Sequence, residues 1–332
     1  MVESRRALLI GYGPTAEAAL RSLLPCVEVT AVIRDTTAPL DPVVRLAGLH
    51  GVPLFGPSSP DALRRIVAKT QPDCIVISSY DHRLDGDLQR ACPLVKVHYA
   101  PLPRYRGSAP VNWAIINGEP SAAISVHLVD EGLDSGNLVF QEEIDIGPQD
   151  TATSLYTRLD AIQQRHLGEA VLRVLSGCRG HPQDPSQATY GCARDPEDGE
   201  IRWADPAPHI ERLVRALTPP FPGAFTYLEG RRLIVRRAAR VGDLPTYSGI
   251  VPGRVVRLSW EEGWIDVLAG EGALRIFELE QRGKNPVRAT TVVRSTKATL
   301  GLRNGDLLRR MAELEVRVEG FLLASVANAP TA

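Results

Sequence analysis

The chain has 332 residues, 44% hydrophobic, 23% charged and 5% aromatic, enough to build two cores, which excludes a disordered tail or a fibre. Its 38 basic and 39 acidic residues leave a formal net charge of -1, so no global field draws it to nucleic acid or anionic lipid. The five cysteines are scattered and never form a CxxC pair, which argues against a disulfide framework or a zinc site and fits a reducing cytoplasm.

The first 130 residues alternate short apolar runs with amphipathic stretches, as a parallel α/β sheet requires. Strands are predicted over residues 7–10, 27–33, 74–78 and 94–98, and helices over 15–24, 61–68, 84–91 and 109–117. Two further strands, 123–129 and 138–144, flank a turn-forming run from Gly132 to Gly136, and a long amphipathic helix follows over 152–175. Residues 178–205 are rich in Gly, Pro, Asp and Gln with little periodicity, and read as a surface linker. Beyond it come a helix over 208–216 and short strands over 223–228, 232–239, 253–259, 264–268 and 274–280, the spacing of a small β-barrel. A last helix is expected over 306–323.

The predicted fold class is therefore α/β, with a Rossmann-like, mostly parallel N-terminal domain over 1–180 and a linker over 181–205. A smaller, OB-like β-barrel over 206–285 and an extension over 286–332 complete the chain. The apolar run at 7–10 is too short for a signal peptide, and no stretch approaches a membrane span.

After the first strand stands Gly11-Tyr12-Gly13-Pro14-Thr15-Ala16, which satisfies GxGxx(G/A), with Asp35 near the end of the second strand. That spacing opens the hypothesis of an NAD-dependent dehydrogenase, with a pyrophosphate on the helix N-terminus and Asp35 on a ribose. A tight first turn is equally what any α/β domain needs, so downstream residues must decide.

The most informative segment runs from Val95 to Trp113. Side-chain alternation puts Val95 and Val97 on one face of a strand and Lys96 and His98 on the other. His98 then sits at the C-terminal end of a parallel strand, where open α/β sheets hold their ligands. With Asp134 in a glycine-flanked turn downstream, it becomes a candidate general base.

Here the sequence resembles the formyltransferases that use 10-formyltetrahydrofolate. Their signature is Asn-x-His, a Ser-Leu-Leu-Pro loop, an aromatic and Arg-Gly, then Asp-x-Gly. His98, Pro103-Arg104-Tyr105-Arg106-Gly107 and Asp134-Ser135-Gly136 match in order and spacing, and the resemblance extends through Asn117-Gly118-Glu119 to Pro220-Phe221-Pro222-Gly223-Ala224-Phe225. By motif it is similar first to the UDP-amino-arabinose branch, with its Ala-Pro-x-Asn-Trp run, and then to the methionyl-tRNA branch. The resemblance implies a one-carbon transferase with 10-formyltetrahydrofolate as donor. It implies that Asp134 orients His98, and that a pterin pocket is walled by Ser78, Ser79 and Tyr80 on one side and by Asp130, Glu131, Gly132, Leu133 and Asp134 on the other. It directs Tyr105, Arg106 and Trp113 toward the amine substrate.

Three departures accompany it. Tyr99-Ala100-Pro101-Leu102-Pro103 replaces the family loop, and Ser108 stands where the arabinose-type enzyme has an Arg. Lys96 stands where the family has an Asn that donates to the oxyanion, and it is one of only four lysines among 38 basic residues. An ammonium there can serve as donor, pair with Asp134, or lower the pKa of His98. These residues fit formyl transfer, transfer of a related unit such as formimidoyl, and a non-catalytic folate-binding protein.

The loop after the second strand, Arg34 to Pro42, is short and carries both charges, unlike the basic insertion of the tRNA-modifying branch. A small-molecule amine is therefore the expected acceptor, such as an amino sugar or an aminoacyl intermediate in antibiotic or other specialised biosynthesis. Arg231, Arg232, Arg236, Arg237 and Arg240 keep tRNA as the alternative. No metal and no membrane partner is expected, and the chain is taken as a monomer or homodimer.

Overall fold

The computed structural model describes residues 5–34, 41–56, 59–80, 84, 88 and 91–327. Two compact units divide the chain, one of Met1–Ile115 with Glu119–Arg194, the other of Ile116–Gly118 with Asp195–Ala332.

The first unit is built on β1 (Arg6–Ile10), β2 (Glu28–Ile33), β3 (Leu54–Phe55), β4 (Cys74–Ile77) and β5 (Leu94–His98). These five strands are parallel and lie in the order β3-β2-β1-β4-β5. The short pair β6 (Arg106–Gly107) and β9 (Tyr190–Gly191) lies apart, while β7 (Ser121–Leu128) and β8 (Leu138–Asp145) extend the large sheet antiparallel beyond β5. Helices α1 (Gly13–Leu23), α2 (Pro42–Leu49), α3 (Pro60–Thr70), α4 (Pro110–Asn117) and α5 (Ala152–Leu175) accompany them.

β1 and β4 read as continuous apolar runs because helices cover both sheet faces. On one face Leu8, Ile10, Ile33, Ile75 and Ile77 pack with Leu63 and Val67 of α3, each such burial stabilising by about 1.5–3 kcal/mol. On the other, α1 and α5 approach so closely that a Cβ on Gly168 would lie 2.4 Å from the Ser22 carbonyl oxygen. A reciprocal capping box, Thr151 with Ser154, starts α5.

α2 and β3 escaped the pattern reading. The start signal of α2 is nonetheless in the sequence: Asp41 as N-cap and Pro42 in the first turn. Residues 84–91, expected as a helix, fall mostly outside the described residues.

The second unit holds α6 (Ala207–Ala216), β10 (Ala224–Leu228), β11 (Arg231–Arg240), β12 (Val255–Leu258), β13 (Ile265–Leu268), β14 (Ala273–Gln281), β15 (Val287–Arg288), the single turn α7 (Ala289–Val292) and α8 (Asn304–Ala327). Its strands form one antiparallel six-stranded sheet in the order β10-β11-β14-β13-β12, with β15 on β14. Phe225, Leu233, Ile265, Ile276 and Leu279 fill its core. A fully buried Asp266 is held between Arg257 at 2.8 Å and Arg275 at 2.8 Å.

Two boundaries differ from expectation. Residues 181–194 are no linker: His181 pairs with Leu138 and β9 with β6, so these backbone groups find strand partners on the first unit. Residues 287–288 belong to the barrel sheet rather than to a separate extension. Among the described residues, no helix is long and apolar enough to cross a membrane.

Candidate active site

The glycine-rich turn serves the backbone. Gly11 has φ +155°, and a Cβ on it would lie 1.7 Å from the carbonyl oxygen of Ser78. The amide of Gly13, at the start of α1, donates to both carboxylate oxygens of Asp41 at 3.2 and 3.1 Å. Asp41 is buried, caps α2 through the amide of Val43 at 3.0 Å, and lies 3.9 Å from Arg34. An internal carboxylate thus takes the place on α1 where a dinucleotide pyrophosphate would bind, which overturns the NAD hypothesis. Asp35, its proposed ribose ligand, lies outside the described residues.

The candidate catalytic groups meet at the C-terminal end of β5. Register pairs Lys96 with His127 and His98 with Ser125 across β5 and β7, so all four side chains share one face of the sheet. The chain leaving β7 turns back, and Asp134, with φ +51°, enters beneath them. Lys96 Nζ lies 2.6 Å from Asp134 Oδ1, and the amide of Gly107 donates to Oδ2 at 2.9 Å. His98 Nδ1 is 3.8 Å from Oδ2 and His127 Nε2 is 3.6 Å from Oδ1. Ser79 and Tyr105 also hold left-handed backbones, φ +62° and +59°; such strain gathers at functional sites.

Hydrogen bonds orient both imidazoles. His98 Nε2–H donates to the carbonyl of Tyr105 at 2.8 Å, leaving Nδ1 without a proton in the neutral ring. His127 Nδ1–H donates to the carbonyl of Leu128 at 2.8 Å, and its Nε2 is buried with no hydrogen-bond partner among the described residues.

Burial, with Lys96 and His127 adding like charge, outweighs the raising effect of Asp134 and the Tyr105 carbonyl, and pushes His98 down to about 4. Asp134 does raise this imidazole, but desolvation is the larger effect. For Asp134, burial alone would lift the pKa, but His127, His98 and Lys96 together hold it well below the usual carboxylate range. The site at neutral pH is thus a neutral His98 beside an ionised Asp134 paired with Lys96.

The remaining predicted residues are placed unevenly. Ser79 and Tyr80 are half-buried at the end of β4, and Leu133 is 56% exposed beside Gly107. Ser78 is fully buried, and its hydroxyl accepts from Gln163 Nε2 at 3.0 Å. Glu131 and Gly132 are exposed, while Asp130 accepts from Gly132 and Ser135 and so shapes its own turn. Tyr105 donates from its hydroxyl to Glu119 at 2.6 Å, sharing that carboxylate with Arg104. Arg106, expected at the substrate, is buried, with Nη2 donating to Gln183 at 2.8 Å. Trp113 donates to the carbonyl of Cys192 at 2.9 Å beneath Arg194.

Two site residues were missed. His127 becomes visible only when the register sets it opposite Lys96. Gln183 lies in the supposed linker, yet its amide donates to the carbonyls of Asp134 and Gly136 at 2.9 and 2.7 Å while its oxygen receives Arg106. It ties the segment 181–194 to the turn that carries the carboxylate.

A doubly covered sheet with a carboxylate, an imidazole and an ammonium at its strand ends, joined to a small antiparallel module, defines a two-domain α/β enzyme. The matches narrow the class: residues 41–171 fit the formyl transferase family and residues 194–297 the formyl transferase C-terminal domain. The chain belongs to the formyltransferase family and is a transferase of one-carbon groups.

The methionyl-tRNA formyltransferase of Myxococcus xanthus is 34% identical over 305 residues, covering 86% of this chain and 95% of that protein. That of Geobacter sulfurreducens is 32% identical over 298 residues, with 84% and 90% covered. Among solved structures, HypX from Aquifex aeolicus in complex with tetrahydrofolic acid has a TM-score of 0.64 at 17% identity. The match covers 88% of this chain, which spans about half of HypX, 47%. WlaRD, a sugar 3N-formyl transferase, has a TM-score of 0.62 at 14% identity, with 85% and 100% covered. These two structures establish the shared fold.

Proposed function

We propose that this enzyme transfers a formyl group from 10-formyltetrahydrofolate to the primary amine of a small molecule, such as an amino sugar or an aminoacyl intermediate of a specialised pathway. The observation that carries this reading is the convergence of His98, Lys96 and Asp134 at the strand ends of a formyltransferase domain.

The residues beside that cluster fit a folate. Leu133, exposed beside Gly107, offers apolar surface to a ring face next to the Asp130–Asp134 turn, while Tyr80 packs against the core at the end of β4. When bound, the folate supplies a one-carbon unit activated on nitrogen.

The chain's own residues supply the rest. His98 is neutral at physiological pH and receives the proton of the attacking amine at Nδ1, because Nε2–H is held by Tyr105. Asp134 faces that nitrogen and stabilises the imidazolium that forms. Lys96 keeps one N–H on Asp134 and has two left to donate to the developing oxyanion, the role the family gives to Asn.

The second reading, formylation of methionyl-tRNA, is favoured by the relatives named above. Against it, the arginines of β11 are largely paired: Arg232 with Glu197 at 2.8 Å, Arg236 with Glu280 at 2.6 Å and Arg237 with Glu278 at 3.1 Å. Such pairs leave less free charge for phosphates.

The test offers the purified enzyme 10-formyltetrahydrofolate with amino sugars, with amino acids, or with charged methionyl-tRNA, and identifies products by mass. A formylated small amine supports the first reading. Formyl-methionyl-tRNA with no other product supports the second, and donor binding without consumption makes the chain a folate-binding protein. Lys96→Asn reports on the unit transferred: formyl transfer gained, with loss of formimidoyl transfer, assigns Lys96 to the latter chemistry.

A further inference from the structure

Helix α8 begins after residue 297, where the match to the C-terminal family domain ends. Its first turn rests against the β10–β11 turn, with the Asp306 backbone and the Arg310 Cβ nearest to Gly230. From there the helix runs out with an apolar stripe in the open: Leu307 is 38% exposed, Met311 57%, Leu314 45% and Val318 57%. Four half-exposed side chains on one face forfeit roughly half of the 1.5–3 kcal/mol that full burial of each gives, and a stripe of this kind marks an interaction surface.

The spacing identifies the partner. Leu307, Met311, Leu314, Val318 and Phe321 recur at intervals of four, three, four and three residues, the a/d seam of a heptad repeat. Leu307, Leu314 and Phe321 are then d positions, and Met311 and Val318 are a positions. Of the a residues Val318 is β-branched, and with Leu307 and Leu314 at d it favours two strands.

Charge selects the orientation. Arg310 and Arg317 occupy g positions, and Leu308, Glu315 and Leu322 occupy e positions. In a parallel pair each g residue meets the e residue five places on in the other helix, so Arg310 of one copy faces Glu315 of the other. An antiparallel pair centred on Leu314 instead sets arginine against arginine and glutamate against glutamate. Within its own helix Arg310 lies 3.0 Å from Glu313, an exposed pair that costs little to exchange. A membrane surface is a poorer partner, because residues 304–327 carry four acidic and three basic side chains where a lipid-binding helix is rich in Lys and Arg.

We infer that α8 pairs in parallel with α8 of a second copy of this chain, making the enzyme a homodimer through a coiled coil outside the family domains. The 332-residue chain, 36.1 kDa, is examined by light scattering across micromolar concentrations. A mass twice that of one chain is expected, falling to one chain in the double variant Met311→Glu with Leu314→Glu, with formyl transfer per chain retained. Arg310→Glu is expected to weaken the dimer at least tenfold, and adding Glu315→Arg to restore it.

A monomer at all concentrations overturns the inference, as does a dimer that survives both seam substitutions. A dimer strengthened by Arg310→Glu overturns the parallel orientation. Co-flotation of a monomeric chain with phosphatidylglycerol vesicles assigns the stripe to lipid and overturns the inference too.

Discussion

Replacing Lys96 with Met removes the ammonium while keeping most of the side chain's length. At 2.6 Å from Asp134, the gross attraction is about 6 kcal/mol at an effective dielectric of about 20. Much of that offsets desolvation; breaking one side of a buried pair costs about 3–5 kcal/mol. Lys96 retains 27% exposure and Asp134 keeps the Gly107 amide at 2.9 Å, so a loss of about 2–3 kcal/mol is expected. For a unit of this size each kcal/mol lowers the transition by about 2–4 °C, giving a fall of about 4–12 °C by calorimetry at pH 7.

The sign of the pH dependence follows from both neighbours. Asp134 is held below its unfolded pKa, so its contribution is complete above about pH 4 and lost as the pH falls further. His98 is also held down, to about 4, so acid favours the unfolded chain from about pH 6.5 downward. Lys96 helps to depress His98, and the Met variant is relieved of part of that penalty. Both effects narrow the gap between the two proteins on acidification. An unchanged transition at pH 7, or a gap that widens toward pH 4, would refute the reasoning.

With His98 near 4, kcat/KM of the native enzyme should keep its level down to about pH 5 before an acid limb appears, and Lys96→Asn should move that limb upward. His98→Ala and Asp134→Ala should each lower kcat/KM by about 10²–10⁴ with the circular dichroism spectrum of the native fold retained; full activity in both would displace the site. Gln183→Leu leaves the buried Arg106 guanidinium with only the long 3.4 Å bond to the Tyr190 hydroxyl, at a cost of about 1–3 kcal/mol, and limited proteolysis should then cut first within 181–194. Gly11→Ala drives a methyl against the Ser78 carbonyl and should cost at least about 3 kcal/mol, measured by denaturant unfolding.

Local pattern carried much of this protein. Apolar runs at strand length marked β1, β2, β4 and β5, and alternation along β5 put Lys96 and His98 on one face, because the period of a strand does not depend on its neighbours. The motif from Pro103 to Gly107 with Asp134-Ser135-Gly136 pointed to the family, and the Leu307 to Phe321 spacing is visible in the bare sequence.

What the fold alone decided are contacts between residues distant along the chain. The register of β7 against β5 brings His127 to Lys96, and the return of residues 181–194 brings Gln183 to Arg106 and to the Asp134 turn. The carboxylate on the Gly13 amide comes from Asp41, 28 positions away, and it separates a glycine-rich turn from a nucleotide site. The basicity of His98 is likewise beyond any motif, since burial outweighs the neighbouring carboxylate there. Burial is a property of the whole packed domain, and no window of residues around position 98 contains it.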